Sequence, residues 1–338
     1  MLAVTFDQPG PPAVLTLRDV PDPHPGLGEV LIDVHATALN RADLLQRRGL
    51  YPPPPGASEL LGLECAGVIA ALGPGTSSAA RGDAVMALLP GGGYAEKVVV
   101  HERLTLPIPE GMSFTQAAAI PEAFLTAQEA LITLGRLQPN ETVLIHAAAG
   151  GVGSAAVQLA RVLGGRVLGT AGSDEKVEFV RKLGVGAINY RKEDFEERLL
   201  EQSARHGADV IIDFVGAAYA EKHARCLAVG GRHVVVGLLG GTRAEVDLGR
   251  LLSRRQALLG LVMRTRSLAD KIAIVEAFRR HFLPLFRDAQ LRPLVDSVLP
   301  LAAAARAHER MEANQNLGKI VLQVKAAASA GGSIPAPP

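Results

Sequence analysis

The sequence predicts an α/β protein in which a doubly wound parallel sheet is joined to a second, β-rich domain. Three observations predict it. Up to about residue 115, short β-like runs are punctuated by Pro and Gly. From there to about residue 287, strand-like and helix-like segments alternate, and that alternation implies a parallel sheet covered on both faces. A last β-like run follows near the C-terminus, and the 338 residues suffice for two domains.

In chain order, Val30 to Ala36 alternates apolar and polar side chains as a half-buried strand does, and Val68 to Leu72 and Tyr94 to Val100 are similar. Pro21 to Pro25, Pro52 to Pro55 and Gly91 to Gly93 are turn or loop material between them. Thr115 to Leu134 is an Ala-rich helical stretch, and Pro121 begins a new helix or kinks the first. Thr142 to His146 is a strand. Ser154 to Leu163 is a helix with Ala156, Leu159, Ala160 and Leu163 on one face. Arg166 to Thr170 is the next strand and Asp174 to Leu183 the next helix. Asp209 to Asp213 and His233 to Gly237 are further strands with helices between. After Leu258 to Val262 and a charged helix ending near Arg287, the run Lys319 to Val324 is placed more economically back in the β-rich domain. Residues from Ala326 to Pro338 read as a disordered tail.

Charge is nearly balanced, with 35 basic against 34 acidic residues, which gives no general attraction to nucleic acid or to an anionic membrane. Arg254, Arg255, Arg264, Arg266, Arg279 and Arg280 make one stretch locally basic; their acidic neighbours and helical spacing read as a solvated face or an oligomer interface. Cys65 and Cys226 are the only two cysteines and read as buried thiols in a reducing compartment, although a disulfide is possible in principle. No signal-peptide pattern opens the chain and no stretch reads as a membrane span, so a cytoplasmic location is expected.

The segment from Ala147 to Gly153 lies between a strand and a helix, the arrangement that pyrophosphate binding requires. Gly150 lets the backbone approach the phosphates, Gly153 lets helix and strand pack closely, and the helix N-terminus offers unpaired N–H groups. Ala148 stands at the first glycine position of the usual spacing. About 20 residues on, where an acidic residue would hold the ribose 2′-hydroxyl of NAD, stand Ala171, Gly172 and Ser173, with Lys176 beyond. Small residues leave room for a 2′-phosphate and a lysine neutralises it, so NADPH is the expected cofactor. Asp174 could reach a ribose or repel a phosphate, but reads better as a first-turn residue complementing the helix dipole; Lys176 could be a plain surface charge.

The stretch Asn140 to Arg161 resembles the quinone oxidoreductase signature within the medium-chain dehydrogenase/reductases. Ala38 to Leu44, Tyr51 to Gly56, Met86 to Gly93, Gln116 to Glu122, Met311 to Asn314 and Gly318 to Val321 look like the p53-inducible quinone oxidoreductase branch, and the likeness covers residues 1–324. It implies a GroES-like catalytic domain over 1–119 and 290–325, and a Rossmann domain over 120–289. It further implies a homodimer or homotetramer joined through the Rossmann edge strand near Leu258 to Val262. Cofactor contacts fall on Thr126, Ala149, Gly150, Gly151, Val152 and Gly153 near the turn, with Gly237 beyond. Gly172, Ser173, Lys176 and Tyr190 fall at the 2′-phosphate, where Tyr190 could instead cover the sheet edge.

Zinc-dependent relatives place a Cys and a Gly-His-Glu motif in the cleft, where this chain has Asn40 and Gly62-Leu63-Glu64. Leu63 cannot ligate a metal, and each of the nine histidines reads as surface or packing, so no metal is expected. Without zinc, simple alcohol oxidation is unattractive, whereas a quinone accepts hydride directly. The resemblance places Asn40 and Tyr51 where they could hydrogen-bond the acceptor; Asn40 could equally cap the helix from Arg41 to Arg47, and Tyr51 could pack a loop. The expected activity is NADPH-dependent quinone reduction. Reduction of α,β-unsaturated carbonyls is the first alternative, and a crystallin-like protein binding NADPH or nucleic acid the second.

Overall fold

The computed structural model describes residues 1–325, and the predicted tail, 326–338, lies outside the described residues. β1 (Leu2–Thr5) and β2 (Thr16–Asp19) form a two-stranded antiparallel ribbon. The β-rich sheet is built from β3 (Glu29–Ala38), β4 (Glu64–Leu72), β5 (Ala84–Leu88), β6 (Lys97–His101) and β7 (Thr105–Pro107), with α1 (Arg41–Arg47) on the connection after β3. In β3, Val30, Ile32, Val34 and Ala36 are buried while their neighbours are half-buried, the alternation expected of that segment.

Pro121 does start a helix. α2 (Phe114–Ala117) ends before it, and α3 (Pro121–Gln128) has it at the first position, where its missing N–H has no partner to lose. The alternating segment follows as β8 (Thr142–Ile145), α4 (Gly151–Val162), β9 (Arg166–Ala171), α5 (Asp174–Arg181), β10 (Gly186–Asn189), α6 (Phe195–Gln202), β11 (Ala208–Asp213), α7 (Ala220–Cys226), β12 (Leu227–Val235), α8 (Leu248–Ser253) and β13 (Ala257–Gly260). These six strands pair in the order β10-β9-β8-β11-β12-β13, all parallel. The order reverses between β8 and β11, so a crevice opens at the ends of those two strands, directly at the glycine turn.

After α9 (Leu268–His281) and α10 (Leu283–Arg287), β14 (Val295–Pro300), α11 (Ala304–Glu312) and β15 (Lys319–Gln323) complete the fold. β15 pairs antiparallel with β3 and parallel with β14, so the chain end rejoins the β-rich sheet as its sequence predicts. One apolar core runs from Ile32 and Met86 through Phe124 and Leu125 to Val143 and Val210, tying the two sheets together through α3. Cys65 and Cys226 are free and buried; burial pushes the Cys226 thiol up to about 12. Among the described residues, no helix is long and apolar enough to cross a membrane.

Candidate active site

The glycine turn follows β8, whose Val143, Leu144 and Ile145 are fully buried. Ala147 takes a left-handed conformation (φ +46°) and Gly150 precedes the first turn of α4, to which no side chain supplies a cap. That leaves the helix start, Gly151, Val152 and Gly153, to offer its N–H groups outward. A Cβ on Gly153 would lie 2.2 Å from the Ala147 carbonyl oxygen, so close packing of helix on strand does demand glycine there. At Gly150 the closest atom would be the Ala147 carbonyl oxygen at 3.2 Å, a tight contact though a looser one than at Gly153. The extra methyl of Ala148 is accommodated by Gly169 on β9, whose own Cβ would lie 2.8 Å from it. The segment before β15 clamps the turn: Gly318 N–H donates to the Ala149 carbonyl at 2.8 Å, and the Lys319 stem packs on Gly151.

At the end of β9, the structure brings Gly172, Ser173, Lys176 and Tyr190 together. A Cβ on Gly172 would lie 2.5 Å from the Tyr190 hydroxyl, and Ser173 caps α5 by accepting from Lys176 N–H at 3.3 Å. Lys176 Nζ donates to the Asn314 carbonyl at 2.6 Å, and Arg41 bonds the Asn314 side chain, so two cations share this corner. Burial and then Arg41 hold the Lys176 ammonium below its ordinary value. Asp174 is turned away, accepting from Asn189 Nδ2 at 2.7 Å and Lys192 Nζ at 2.6 Å, which fits its reading as a first-turn residue. Thr126 lies on α3, which packs against α4, and its hydroxyl is buried without a partner; Gly237 follows β12 and donates to the Asp213 carbonyl at 3.1 Å.

Asn40 stands just before α1, yet its side chain does not cap that helix. The reciprocal contact there is Asn40 N–H to Asp43 Oδ2, 2.7 Å. The amide instead donates through Nδ2 to Glu64 Oε1 at 2.9 Å and accepts through Oδ1 from Lys319 Nζ at 2.7 Å. Lys319 Nζ also meets Glu64 Oε1 at 2.6 Å and the Leu39 carbonyl at 2.6 Å, while Glu64 Oε2 accepts from Glu122 N–H at 2.9 Å. Lys319 therefore threads from the glycine turn, where its stem lies, into a buried polar cluster around Asn40. Beside it, burial and then Glu64 raise the Glu122 carboxyl to about 8.

Tyr51 is partly buried, with the Arg264 guanidinium 5.4 Å from its ring centre. Arg264 was expected on a solvated face or an oligomer interface and is neither. It is 4% exposed, donating to the Pro90 carbonyl at 2.8 Å and the Tyr51 carbonyl at 3.3 Å across the junction of the two sheets. Arg266 pairs with Glu129 at 2.9 Å and Arg279 donates to the Thr105 carbonyl at 2.6 Å, so these three are engaged with the protein's own groups. Lys319, Glu122, Arg264 and Arg41 were not singled out as site residues. Lys319, Glu122 and Arg41 had a signal, their places in the Gly318 to Val321, Gln116 to Glu122 and Ala38 to Leu44 motifs; Arg264 had none. Three of the histidines are core residues: His223 and His233 stand against Asp213, and His146 bonds His223.

Residues 26–110 match the family described as alcohol dehydrogenase GroES-like domain, and residues 151–277 the family described as zinc-binding dehydrogenase. The quinone oxidoreductase of Rattus norvegicus is 32% identical over 326 residues, covering 95% of this chain and 97% of that protein. The chain belongs to the medium-chain dehydrogenase/reductase superfamily. A phenolphthiocerol/phthiocerol polyketide synthase of Mycobacterium tuberculosis is 33% identical over 94% of this chain, which spans 14% of that protein's length. Among solved structures, the quinone oxidoreductase of Escherichia coli complexed with NADPH superposes with a TM-score of 0.86 at 30% identity, covering 96% of this chain and 100% of that one. CurK enoyl reductase gives 0.84 at 30% identity, covering 95% and 98%. These relatives and neighbours include oxidoreductases, one of them solved with NADPH.

One matching family is named for zinc, and the donors around Asn40 do not fit that ion. Leu63 has no donor atom, Glu64 is spent on Lys319, Asn40 and Glu122 N–H, and burial pushes the Cys65 thiol far above its ordinary value. The positive charge beside Glu64 is a lysine of the chain itself. A dinucleotide does fit: no side-chain cap occupies the α4 N-terminus at Gly150, and the buried Thr126 hydroxyl has no partner among the described residues.

Proposed function

We propose that this chain is an NADPH-dependent reductase that delivers hydride to a quinone without using a metal. The observation that carries it is the cleft around Asn40, where Lys319 stands against Glu64 and no zinc donor set is present. Similarity to the quinone oxidoreductases of Rattus norvegicus and Escherichia coli supports it. Bound at the glycine turn, the cofactor would supply the hydride. Ala149, Gly150, Gly151, Val152 and Gly153 would hold its pyrophosphate on the α4 N-terminus. Thr126 and Gly237 would line its path, and Gly172, Ser173, Lys176 and Tyr190 would hold the 2′-phosphate, joined by Arg41.

Asn40 is committed on both atoms of its amide, so its role is to fix the cluster that borders the acceptor. Tyr51 is left to contact the acceptor, its ring steadied by Arg264. A second reading, reduction of α,β-unsaturated carbonyls, draws on Glu122: a carboxyl raised to about 8 is a proton donor near neutrality, and delivery of hydride to an enone also needs a proton at carbon. CurK enoyl reductase is among the structural neighbours. Rates with NADPH on ortho-quinones, para-quinones and enones decide between them; enones turning over far faster than every quinone would sink the quinone assignment.

We further propose a homodimer or homotetramer formed by pairing of β13. It is one of the two edge strands of the parallel sheet, and Leu258 on it is 49% exposed with Leu248 and Leu252 of α8 also exposed.

A further inference from the structure

Asp213 ends β11 and His233 lies in β12, whose register sets His233 beside Ile211, two residues before Asp213. Side chains two apart on a strand share a face, so Asp213 and His233 project together. α7 covers that face and inserts His223 beside them. All three are buried, and their donor atoms lie within 4.8 Å of one another. His233 Nε2 is 2.9 Å and His223 Nδ1 is 3.4 Å from Asp213 Oδ2. A tetrahedral ion with bonds of about 2.0–2.1 Å holds its donors roughly 3.3 Å apart, between those two distances.

The cluster has one atom out of balance. His223 Nδ1 is buried and makes no hydrogen bond among the described residues. With a proton it is an unmet donor; without one, its lone pair faces a carboxylate. A cation between them removes the conflict and turns that lone pair into a ligand. The surroundings suit that state. His223 Nε2 lies 2.8 Å from His146 Nε2, and His146 Nδ1 lies 2.8 Å from the Thr170 hydroxyl. In the tautomer that frees His223 Nδ1, His223 Nε2–H donates to His146, whose Nδ1–H donates to Thr170, the outer support that metal-bound histidines use. Asp213 Oδ1 is fixed by Val215 N–H at 2.7 Å and Gly216 N–H at 3.1 Å.

We propose that Asp213, His223 and His233 form a site for one divalent transition-metal ion of the zinc class, which fastens α7 to β11 and β12. Two imidazoles and one carboxylate select such an ion over magnesium or calcium, which prefer all-oxygen shells. The ion is structural, because the site is sealed from solvent and shares no residue with the cleft around Asn40. All donors come from the single stretch Asp213 to His233, so the ion can be captured as the chain folds.

The test uses untagged full-length protein, unfolded with chelator and refolded with or without zinc, then freed of loose metal by gel filtration. About one zinc per chain is expected after refolding with zinc, and excess magnesium does not displace it. Refolding with cobalt gives visible ligand-field bands that are absent from H223Q and H233Q. H223Q and H233Q reduce retained zinc to background, and H146Q weakens zinc binding by ~10–100-fold. Wild-type protein that refolds yet retains no zinc overturns the proposal, whatever the variants do. Equal retention by wild type, H223Q and H233Q also overturns it, by placing the metal elsewhere.

Discussion

Replacing Lys319 by methionine keeps the stem against Gly151 and removes the ammonium alone. Three contacts disappear: Glu64 Oε1 at 2.6 Å, Asn40 Oδ1 at 2.7 Å and the Leu39 carbonyl at 2.6 Å. Glu64 is fully buried, so its charge is then uncompensated. Breaking one side of a buried pair costs about 3–5 kcal/mol. Glu64 retains Asn40 Nδ2 and Glu122 N–H, which puts K319M near the lower end, at about 3 kcal/mol. In K319M/E64Q the orphaned charge is gone, and the loss relative to wild type should fall to about 1 kcal/mol. Urea unfolding midpoints for wild type, K319M, E64Q and the double variant give the coupling directly, with an expected value of about 2 kcal/mol or more. A K319M loss below about 1 kcal/mol, or additive single losses, would refute the assignment of Lys319 as the counter-charge of Glu64.

Gly153→Ala places a methyl 2.2 Å from the Ala147 carbonyl, so helix and strand must separate. We expect a stability loss of about 1–3 kcal/mol with weaker NADPH binding, read by thermal melts with and without cofactor. Lys176→Ala removes one cation of the pair at Asn314, and should raise KM for NADPH by about tenfold while leaving KM for NADH nearly unchanged. Glu122 is held protonated up to about 8 by burial and by Glu64, so its stabilising share is complete below the ordinary carboxyl range and is lost as pH rises through about 8. E122Q should flatten that loss, which solvent access limits to roughly 1–3 kcal/mol; pH-dependent urea midpoints that stay parallel in wild type and variant would discount the shift.

The elements legible in the sequence were those with strong periodicity or strong punctuation. β3 alternates, Pro121 starts α3, and the glycine run marks the β8–α4 turn down to the specific need for Gly153. β10 was missed because Gly186 to Asn189 is short and has no alternation, and β14 because an edge strand reading Val-Asp-Ser-Val-Leu-Pro carries no buried face. The proximity of Gly172, Ser173 and Lys176 was legible because they follow one strand and open one helix. The Asn40 cluster was not. Glu64, Glu122 and Lys319 come from three distant segments, and only the return of β15 onto β3 brings Lys319 beside Asn40. Arg264 was misjudged for the same reason. A charged or titratable residue looks solvated until tertiary packing supplies its partners.

The most direct test of the central claim is parallel steady-state kinetics with NADPH and NADH, using 1,2-naphthoquinone and an enone as acceptors and chelated protein throughout. The account predicts turnover of the quinone, undiminished by chelation. It also predicts a kcat/KM with NADPH at least about tenfold above that with NADH, and above that with the enone. A preference for NADH, loss of activity on chelation, or faster turnover of the enone than of the quinone would contradict it.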